Sequence, residues 1–328
     1  MSGKRPLGIS FVIFFSVLLA APSLCLSHND FDAWLQDFRE EANNAGISAE
    51  TLQAHLAGIE PIQRVIELDR RQAPKPDRKK TVRPDLQRYL QRVVPASRIE
   101  TARERFAEHR MLLEEIGRRF DVDQGFVVAL WAIESDFGRR MGSFPLVPAL
   151  ATLAHEGRRG DFFRSELLTI LRLLDEGIVQ RSTLHGSWAG AMGQVQFMPS
   201  SLRSFAVDYD GSGGVDIWES TPDALASAAN YLALAGWRHA EPWGQKVSLP
   251  QEFAAESDPN RLLTLEQWRS MGITIDGPAA RKAAFILPEG EGGSAYLVFN
   301  NFRVLRKWNR SNFFALAVCR LAAAIDTN

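Results

Sequence analysis

Glu134 stands in Leu130-Trp-Ala-Ile-Glu-Ser-Asp-Phe-Gly138, a carboxylate at the end of an otherwise apolar run. Trp131, Ile133 and Phe137 flank it and would strip water from its charged form, so the residue should hold its proton above the usual carboxylate range. Acid-catalysed cleavage of a glycosidic bond at neutral pH needs such a group. Lysozyme-type hydrolysis ordinarily takes two carboxylates, one as acid and one as nucleophile or base. The nearest second candidate, Asp136, is two positions away and would face elsewhere on a helix.

A second segment, Gly186-Ser-Trp-Ala-Gly-Ala-Met-Gly-Gln-Val-Gln-Phe-Met-Pro199, is crowded with glycine and other small residues, and Ser187, Gln194 and Gln196 offer polar atoms within it. Backbone of this kind approaches a ligand closely, and sugars are held by such polar groups together with aromatic faces. Trp188 and Trp243 could each stack on a sugar or fill core.

A third segment, Asp208-Tyr-Asp-Gly-Ser-Gly-Gly-Val-Asp-Ile-Trp-Glu219, has the oxygen spacing of an EF-hand loop. Asp208, Asp210, Ser212, the Gly214 carbonyl and Glu219 would surround a structural Ca²⁺. Asp223 either replaces Glu219 as the closing ligand or joins Ser220 in a capping box at the next helix. Ser212 is a neutral ligand where a carboxylate or amide is usual, which weakens the site. A metal-free turn held by aspartate side chains is the competing reading. No cofactor is required for the chemistry itself.

These segments need elements to hold them. Phe31, Trp34, Leu35 and Phe38 recur at helical spacing as far as Gly46, and Ser48 caps a second helix. Ala73–Pro84 is rich in proline and basic residues and reads as an extended connector, with Tyr89 just beyond it and facing the cleft. One helix is expected over Thr101–Phe120, with His109 packed or at the surface. The next runs from a cap at Asp123 to Gly138 and puts Glu134 in its final turn. Helices follow over Phe162–Glu176 and Pro222–Ala235, the latter capped by Thr221. Ala295–Arg303 alternates like a strand, and few strands precede Gly244. The expectation is a mainly α protein with a small sheet.

Of the 328 residues, 45% are hydrophobic and 23% charged, with a formal net charge of −1, which suits a soluble chain of one large or two domains and excludes binding nucleic acid through a bulk positive field. Lys4 and Arg5, then an apolar run from Leu7 to Ala21, then small residues make a secretory leader, placing the mature protein in the periplasm. Leu24 before Cys25 disfavours a lipid anchor. With cleavage after Ser27, Cys319 alone remains, and it reads as a packing residue. The expected divisions are a leader at 1–27, a helical N-terminal arm and linker at 28–85, a core at 86–244 containing the 208–219 loop, and a segment at 245–328 that completes the cleft.

The sequences around Glu134 and Ser187 resemble the lytic murein transglycosylase B family, whose patterns they match almost letter for letter. The resemblance extends to Gly157-Arg-Arg-Gly-Asp-Phe-Phe163, Ala229-Asn-Tyr-Leu232 and Asn301-Phe-Arg-Val-Leu-Arg-Lys-Trp-Asn-Arg-Ser311. Two departures are Trp308, where the family pattern has tyrosine, and Ser212; neither is expected to touch the acid. The resemblance implies a lysozyme-like α core and a reaction needing one acid. Glu134 would protonate the oxygen between N-acetylmuramic acid and N-acetylglucosamine, then take the proton of the muramoyl C6 hydroxyl as it closes a 1,6-anhydro ring.

It also implies that Ser187 and Gln196 orient the reacting sugar, that Asn230 and Tyr231 line the cleft, and that Arg158 and Arg159 contact a peptide or lactyl carboxylate, with Asn301 a further candidate. The substrate would be peptidoglycan glycan strands, the enzyme a monomer, and its protein partners those of cell-wall synthesis. The alternatives are a hydrolytic muramidase on the same scaffold and a noncatalytic peptidoglycan-binding protein.

Overall fold

The computed structural model describes residues 28–72, 85–156, 158–180, 184–251, 253 and 256–325. The leader with Cys25, the connector at 73–84 and Gly157 lie outside the described residues.

The chain is organised around a helix with almost no polar surface. Gln124–Ser135 buries every residue from Val127 to Ala132, and also Gly125 and Ser135, so other helices must cover it on all sides. In chain order the helices up to this one are α1 (His28–Asn44), α2 (Ala49–Leu56), α3 (Gln63–Gln72), α4 (Leu86–Val93), α5 (Ala96–Glu108), α6 (Arg110–Phe120) and the central α7 itself. After it come α8 (Leu146–Glu156), α9 (Gly160–Asp175), α10 (Pro199–Phe205), α11 (Thr221–Leu234), α12 (Leu265–Ser270), α13 (Asn300–Trp308) and α14 (Asn312–Ile325). α5, α6, α11 and α14 pack on α7. No helix among the described residues is long and apolar enough to cross a membrane.

The arm shares this core. Phe31, Phe38, Leu56 and Val65 belong to the same apolar cluster as α7, and α1, α2 and α3 lie against α8. Ser48 caps α2 as expected, accepting from the Thr51 amide at 3.2 Å.

Two short strands, β1 (Phe144–Pro145) and β2 (His185–Gly186), pair antiparallel and tie the chain after α7 to the glycine-rich segment. The larger sheet holds β3 (Gly244–Val247), β4 (Asp258–Thr264), β5 (Lys282–Ile286) and β6 (Ala295–Val298) in the antiparallel order β3-β6-β5-β4. Leu265, Trp268, Phe285 and Leu297 give it a small core of its own. The sheet is followed by α13 and α14, which return to the helical core.

Three local expectations fail for physical reasons. Thr101–Phe120 is broken at His109, whose φ of −100° ends α5 and starts α6. Asp123 occupies the position before α7 but makes no cap; its carboxylate instead accepts from the Trp237 indole at 2.8 Å and the Ala240 amide at 3.3 Å. The strand pattern at Ala295–Arg303 stops at Val298, because Asn301, Phe302 and Leu305 are buried at helical spacing and the chain turns into α13.

Candidate active site

α7 ends one residue after Glu134. Asp136 and Phe137 take left-handed conformations, φ 55° and 60°, and Gly138 follows at 80°, so the chain leaves the helix sharply just after Glu134. Ser135 fixes that exit. Its hydroxyl donates to the Gln194 carbonyl at 2.5 Å and accepts from the Gly138 amide at 2.8 Å.

Gln194 is the buried clamp between the two sequence segments. Its Oε1 accepts from the Trp131 indole at 2.9 Å and its Nε2 donates to the Trp218 carbonyl at 3.1 Å. It is only 4% exposed, so the expectation that it points at a ligand is corrected. The glycines around it serve closure of the protein on itself. A Cβ on Gly142 would lie 2.2 Å from the Gly186 carbonyl oxygen, and one on Gly193 would lie 2.7 Å from that of Ile217.

The Glu134 side chain keeps some access to solvent, but its carboxyl is crowded by protein on most sides. Burial pushes its pKa up to about 7, against the pull of a hydrogen bond from Trp308. That bond is short, Trp308 Nε1 donating to Glu134 Oε1 at 2.7 Å across 174 residues of chain. Trp308 thus touches the acid, contrary to the expectation from the sequence. It is held by Phe197 at 5.3 Å and Tyr231 at 4.7 Å between ring centroids. An indole donates and cannot accept, so Oε1 is fixed as an acceptor and the proton of the neutral acid belongs on Oε2.

Asp136 cannot serve as a second catalytic group. Arg139, Arg98 and Arg140 surround it at 3.2, 3.6 and 3.7 Å.

The other sequence candidates divide. Tyr231 lies in the aromatic cluster beside Trp308, and burial raises its phenol pKa. Tyr89, packed on Phe313 at 5.3 Å, is raised chiefly by burial, with Arg92 opposing and the charge of Glu134 adding, which puts it within reach of the acid's field. Gln196, at φ 49°, donates through Nε2 to the carbonyls of Met141 at 3.1 Å and Gly193 at 3.0 Å, while its Oε1 takes no hydrogen bond from a described residue. Ser187 Oγ accepts from the Ala191 amide at 3.0 Å and has its own proton to offer. Asn230 Nδ2 donates to the Phe205 carbonyl at 2.8 Å.

Asn301, Arg158 and Arg159 are corrected. Asn301 is 0% exposed and is consumed by Arg238 and Glu241: its Oδ1 accepts from the Arg238 amide at 2.9 Å, and its Nδ2 donates to the carbonyls of Arg238 and Glu241 at 2.7 and 2.9 Å. It clips a loop and binds no sugar. Arg158 and Arg159 both grip Asp69 of the arm, so their charges fasten α3 to the core. Trp243 packs between Tyr296 and Phe302 as core.

In the 208–219 loop, between α10 and α11, the carboxylates of Asp208, Asp210 and Asp223 come within 4.8 Å of one another. Glu219 is exposed and outside the cluster. Asp223 makes only half of the capping box, because the Ser220 amide donates to the Asp216 carbonyl and not to the Asp223 carboxylate. Its amide donates to the Ser220 hydroxyl at 3.2 Å, which makes Ser220 and not Thr221 the cap of α11. Its buried carboxylate turns back into the loop and accepts from Tyr209, Asp210 and Asp216 amides. Ser212 Oγ donates to the Gly214 carbonyl at 3.2 Å. Three carboxylates, a hydroxyl and a carbonyl are a donor set that fits a hard cation.

A mainly helical, lysozyme-like scaffold that presents one proton-bearing carboxyl at the end of its central helix defines a glycan-cleaving enzyme of the single-acid kind. Residues 30–323 match the transglycosylase SLT domain family, and the chain belongs to it, among the lytic murein transglycosylases of type B. Membrane-bound lytic murein transglycosylase B of Escherichia coli K12 is 29% identical over 292 residues, 86% of this chain and 80% of the relative. SltB3 from Pseudomonas aeruginosa, solved with NAG-anhNAM-pentapeptide, shares 40% identity and a TM-score of 0.83, covering 91% of this chain and 80% of that one. The Escherichia coli transglycosylase Slt35, solved with calcium, shares 26% identity and a TM-score of 0.76, covering 91% and 93%.

Two predictions follow from the state of Glu134. Folding raises its carboxyl from 4.5 to about 7, so the native state binds this proton more tightly than the unfolded chain does. The stability this adds is fully present below pH 4.5 and is lost as pH rises through about 7. Glu134→Gln should therefore abolish cleavage yet gain stability over wild type at pH 8, by at most about 3 kcal/mol; equal melting temperatures at pH 4 and pH 8 would contradict the burial argument. Trp308→Phe removes a donor that favours the ionised form. The alkaline limb of the pH–kcat/KM profile should move up from about 7; an unmoved limb would show that the indole does not act on the acid.

Proposed function

We propose that the protein cleaves the bond between N-acetylmuramic acid and N-acetylglucosamine in peptidoglycan by intramolecular transglycosylation, as part of cell-wall turnover. The observation that carries this reading is the single available carboxyl. Among the described residues the other buried carboxylates are Asp69, Glu166 and Asp223. Asp69 is held by two arginines, Glu166 accepts from the amide and hydroxyl of Ser200, and Asp223 belongs to the loop. A muramidase would need a second carboxylate, and neither Asp136 nor any of these buried groups is free to serve as one.

The same group serves both half-reactions. Neutral Glu134 gives its proton to the leaving glycosidic oxygen as the C1–O bond breaks, and the 2-acetamido group assists departure. Ionised Glu134 then takes the proton of the C6 hydroxyl as that oxygen bonds to C1, giving a 1,6-anhydromuramoyl end. No water is consumed, and the acid is returned to its starting state. Gln196 Oε1 and the Ser187 hydroxyl are the groups assigned to orienting the reacting sugar, with Tyr231 and Asn230 along the cleft wall. Arg158 and Arg159 would reach a substrate carboxylate only from the ion pair with Asp69. Secretion into the periplasm through the leader, and action as a monomer alongside cell-wall synthesis proteins, complete the proposal.

The decisive experiment is mass spectrometry of the soluble products from purified sacculi, with Glu134→Gln in parallel. Anhydro-ended muropeptides from wild type alone are expected; reducing ends would establish hydrolysis instead, and intact binding without products would leave a noncatalytic wall-binding protein.

The loop is assigned a structural Ca²⁺ held by Asp208, Asp210 and Asp223, with Ser212 and the Gly214 carbonyl completing the donor set. The ion would neutralise three converging carboxylates and lock α10 to α11; no catalytic step uses it. Saturating Ca²⁺, at about a hundred times its Kd, should stabilise the fold by roughly 2.7 kcal/mol, a rise in Tm of several degrees. A chelator should reverse the rise and Asp210→Ala should abolish it. A Tm indifferent to Ca²⁺ would return the loop to a metal-free turn.

A further inference from the structure

Basic and acidic residues nearly balance over the chain, 38 against 39, but one face of the C-terminal part departs from that balance. Two adjoining cavities, of about 690 and 510 Å³, share Arg303 as a wall. The larger is also lined by Arg238, Arg281 and Lys282, with Glu241 as its one carboxylate; the smaller is lined by Asn260, Arg306, Lys307 and Arg310 and no acid. Glu241 is already paired with Arg238 at 3.2 Å. Arg281 lies over the Phe299 ring at 5.3 Å, while Lys282, Arg303 and Arg310 make no ion pair with any described residue.

Part of this surface is preorganised. Arg306 is half-buried, and its Nε and Nη2 donate to the Arg310 carbonyl at 3.3 and 3.1 Å. Burial lowers its pKa, the carboxylate of Asp258 opposes that shift and the charge of Arg310 adds to it, so Asp258 offsets only part of the positive charge gathered on this surface. Arg303, Arg306 and Arg310 follow one another along one side of α13 and its exit, spread over roughly 10 Å at the helical rise. The opposite side of α13 holds Asn301, Val304 and Leu305 in the core and turns Trp308 toward Glu134. The basic surface is therefore separate from the acid.

Guanidinium groups in this arrangement suit carboxylates, which they bind in paired hydrogen bonds. The surface is concave and is walled by four chain segments, the turn after α11, β4, the start of β5 with the turn before it, and α13. That shape admits discrete anionic groups on a flexible chain better than the flat face of a bilayer. We propose that this double cavity is a second contact with the cell wall, taking the carboxylates of peptide stems outside the strand being cleaved. The inference rests on the transglycosylase reading and adds an anchoring site to it.

The test uses the full mature chain carrying Glu134→Gln, so that the glycan stays intact, sedimented with whole sacculi and with glycan stripped of its stems. Adding Arg303→Ser and Arg310→Ser should weaken binding to whole sacculi roughly three- to tenfold. Binding to stripped glycan should be unchanged, and the difference should shrink at high salt. Equal weakening on both substrates, no weakening, or an effect confined to vesicles of anionic phospholipid would each overturn the proposal. Lys282→Ser, on a different element, gives an independent reading should the double variant fold poorly. With Glu134 restored, Arg303→Ser/Arg310→Ser should cleave stem-free glycan at the wild-type rate. Anhydro products from that assay without any stem-dependent binding would sink the anchoring site alone, whereas absence of products from wild type would sink the transglycosylase reading.

Discussion

The contact between the Trp308 indole and the Glu134 carboxyl joins two segments 174 residues apart in the chain, and much of the architecture is what that contact requires. A carboxyl is costly to bury unless something satisfies it. Here one strong donor satisfies one oxygen, and the remaining desolvation is left in place as a raised pKa. Full satisfaction would have kept the group ionised at neutral pH and useless as an acid. No donor at all would have made its position on the last turn of α7 hard to hold.

To deliver that donor the chain must return to the helical core after leaving it. The sheet of β3 to β6 closes on its own small apolar cluster, and α13 follows it directly, clipped at its start by buried Asn301. α14 then packs along α7, so the helix that carries the acid and the helix that carries its partner are held by one core. Ser135 and Gln194 do the corresponding work at the other end, tying the exit from α7 to the glycine-rich segment. The acid is thus positioned by buried polar groups that never meet substrate, and those groups also draw the turn that contains Gln196 up to the cleft.

What the sequence disclosed follows from how local each signal is. The raised acid was legible because the apolar run that carries it, with Trp131, Ile133 and Phe137 within three positions, already implied burial, and burial is what raises it. The helices were legible where an apolar period met a cap, as at Ser48. Trp308 was invisible as a partner because 174 residues separate it from Glu134, and nothing in a tryptophan's neighbours tells where its N–H will point. Asn301 and Gln194 were misread for a related reason: a polar side chain in a motif looks the same whether it faces a ligand or satisfies buried backbone. Arg158 and Arg159 looked free because their partner, Asp69, lies across a segment boundary in the arm. That Asp223 and not Glu219 joins the carboxylates of Asp208 and Asp210 depends on the direction of the first turn of α11, which spacing alone does not fix.

A single catalytic carboxyl must work in both protonation states, and this constrains its pKa from two sides. If the value were far below neutral, protonation of the leaving oxygen would be rare; if far above, the ionised form needed to deprotonate the C6 hydroxyl would be costly to reach. At about 7, the two forms are nearly equal in free energy near neutral pH, so neither half-reaction bears the whole penalty. The arginines around Asp136 have a complementary effect. They hold the one other carboxylate of the segment in ion pairs, away from the reaction. The environment therefore separates two carboxyl groups two residues apart into one that carries a structural charge and one that carries a mobile proton.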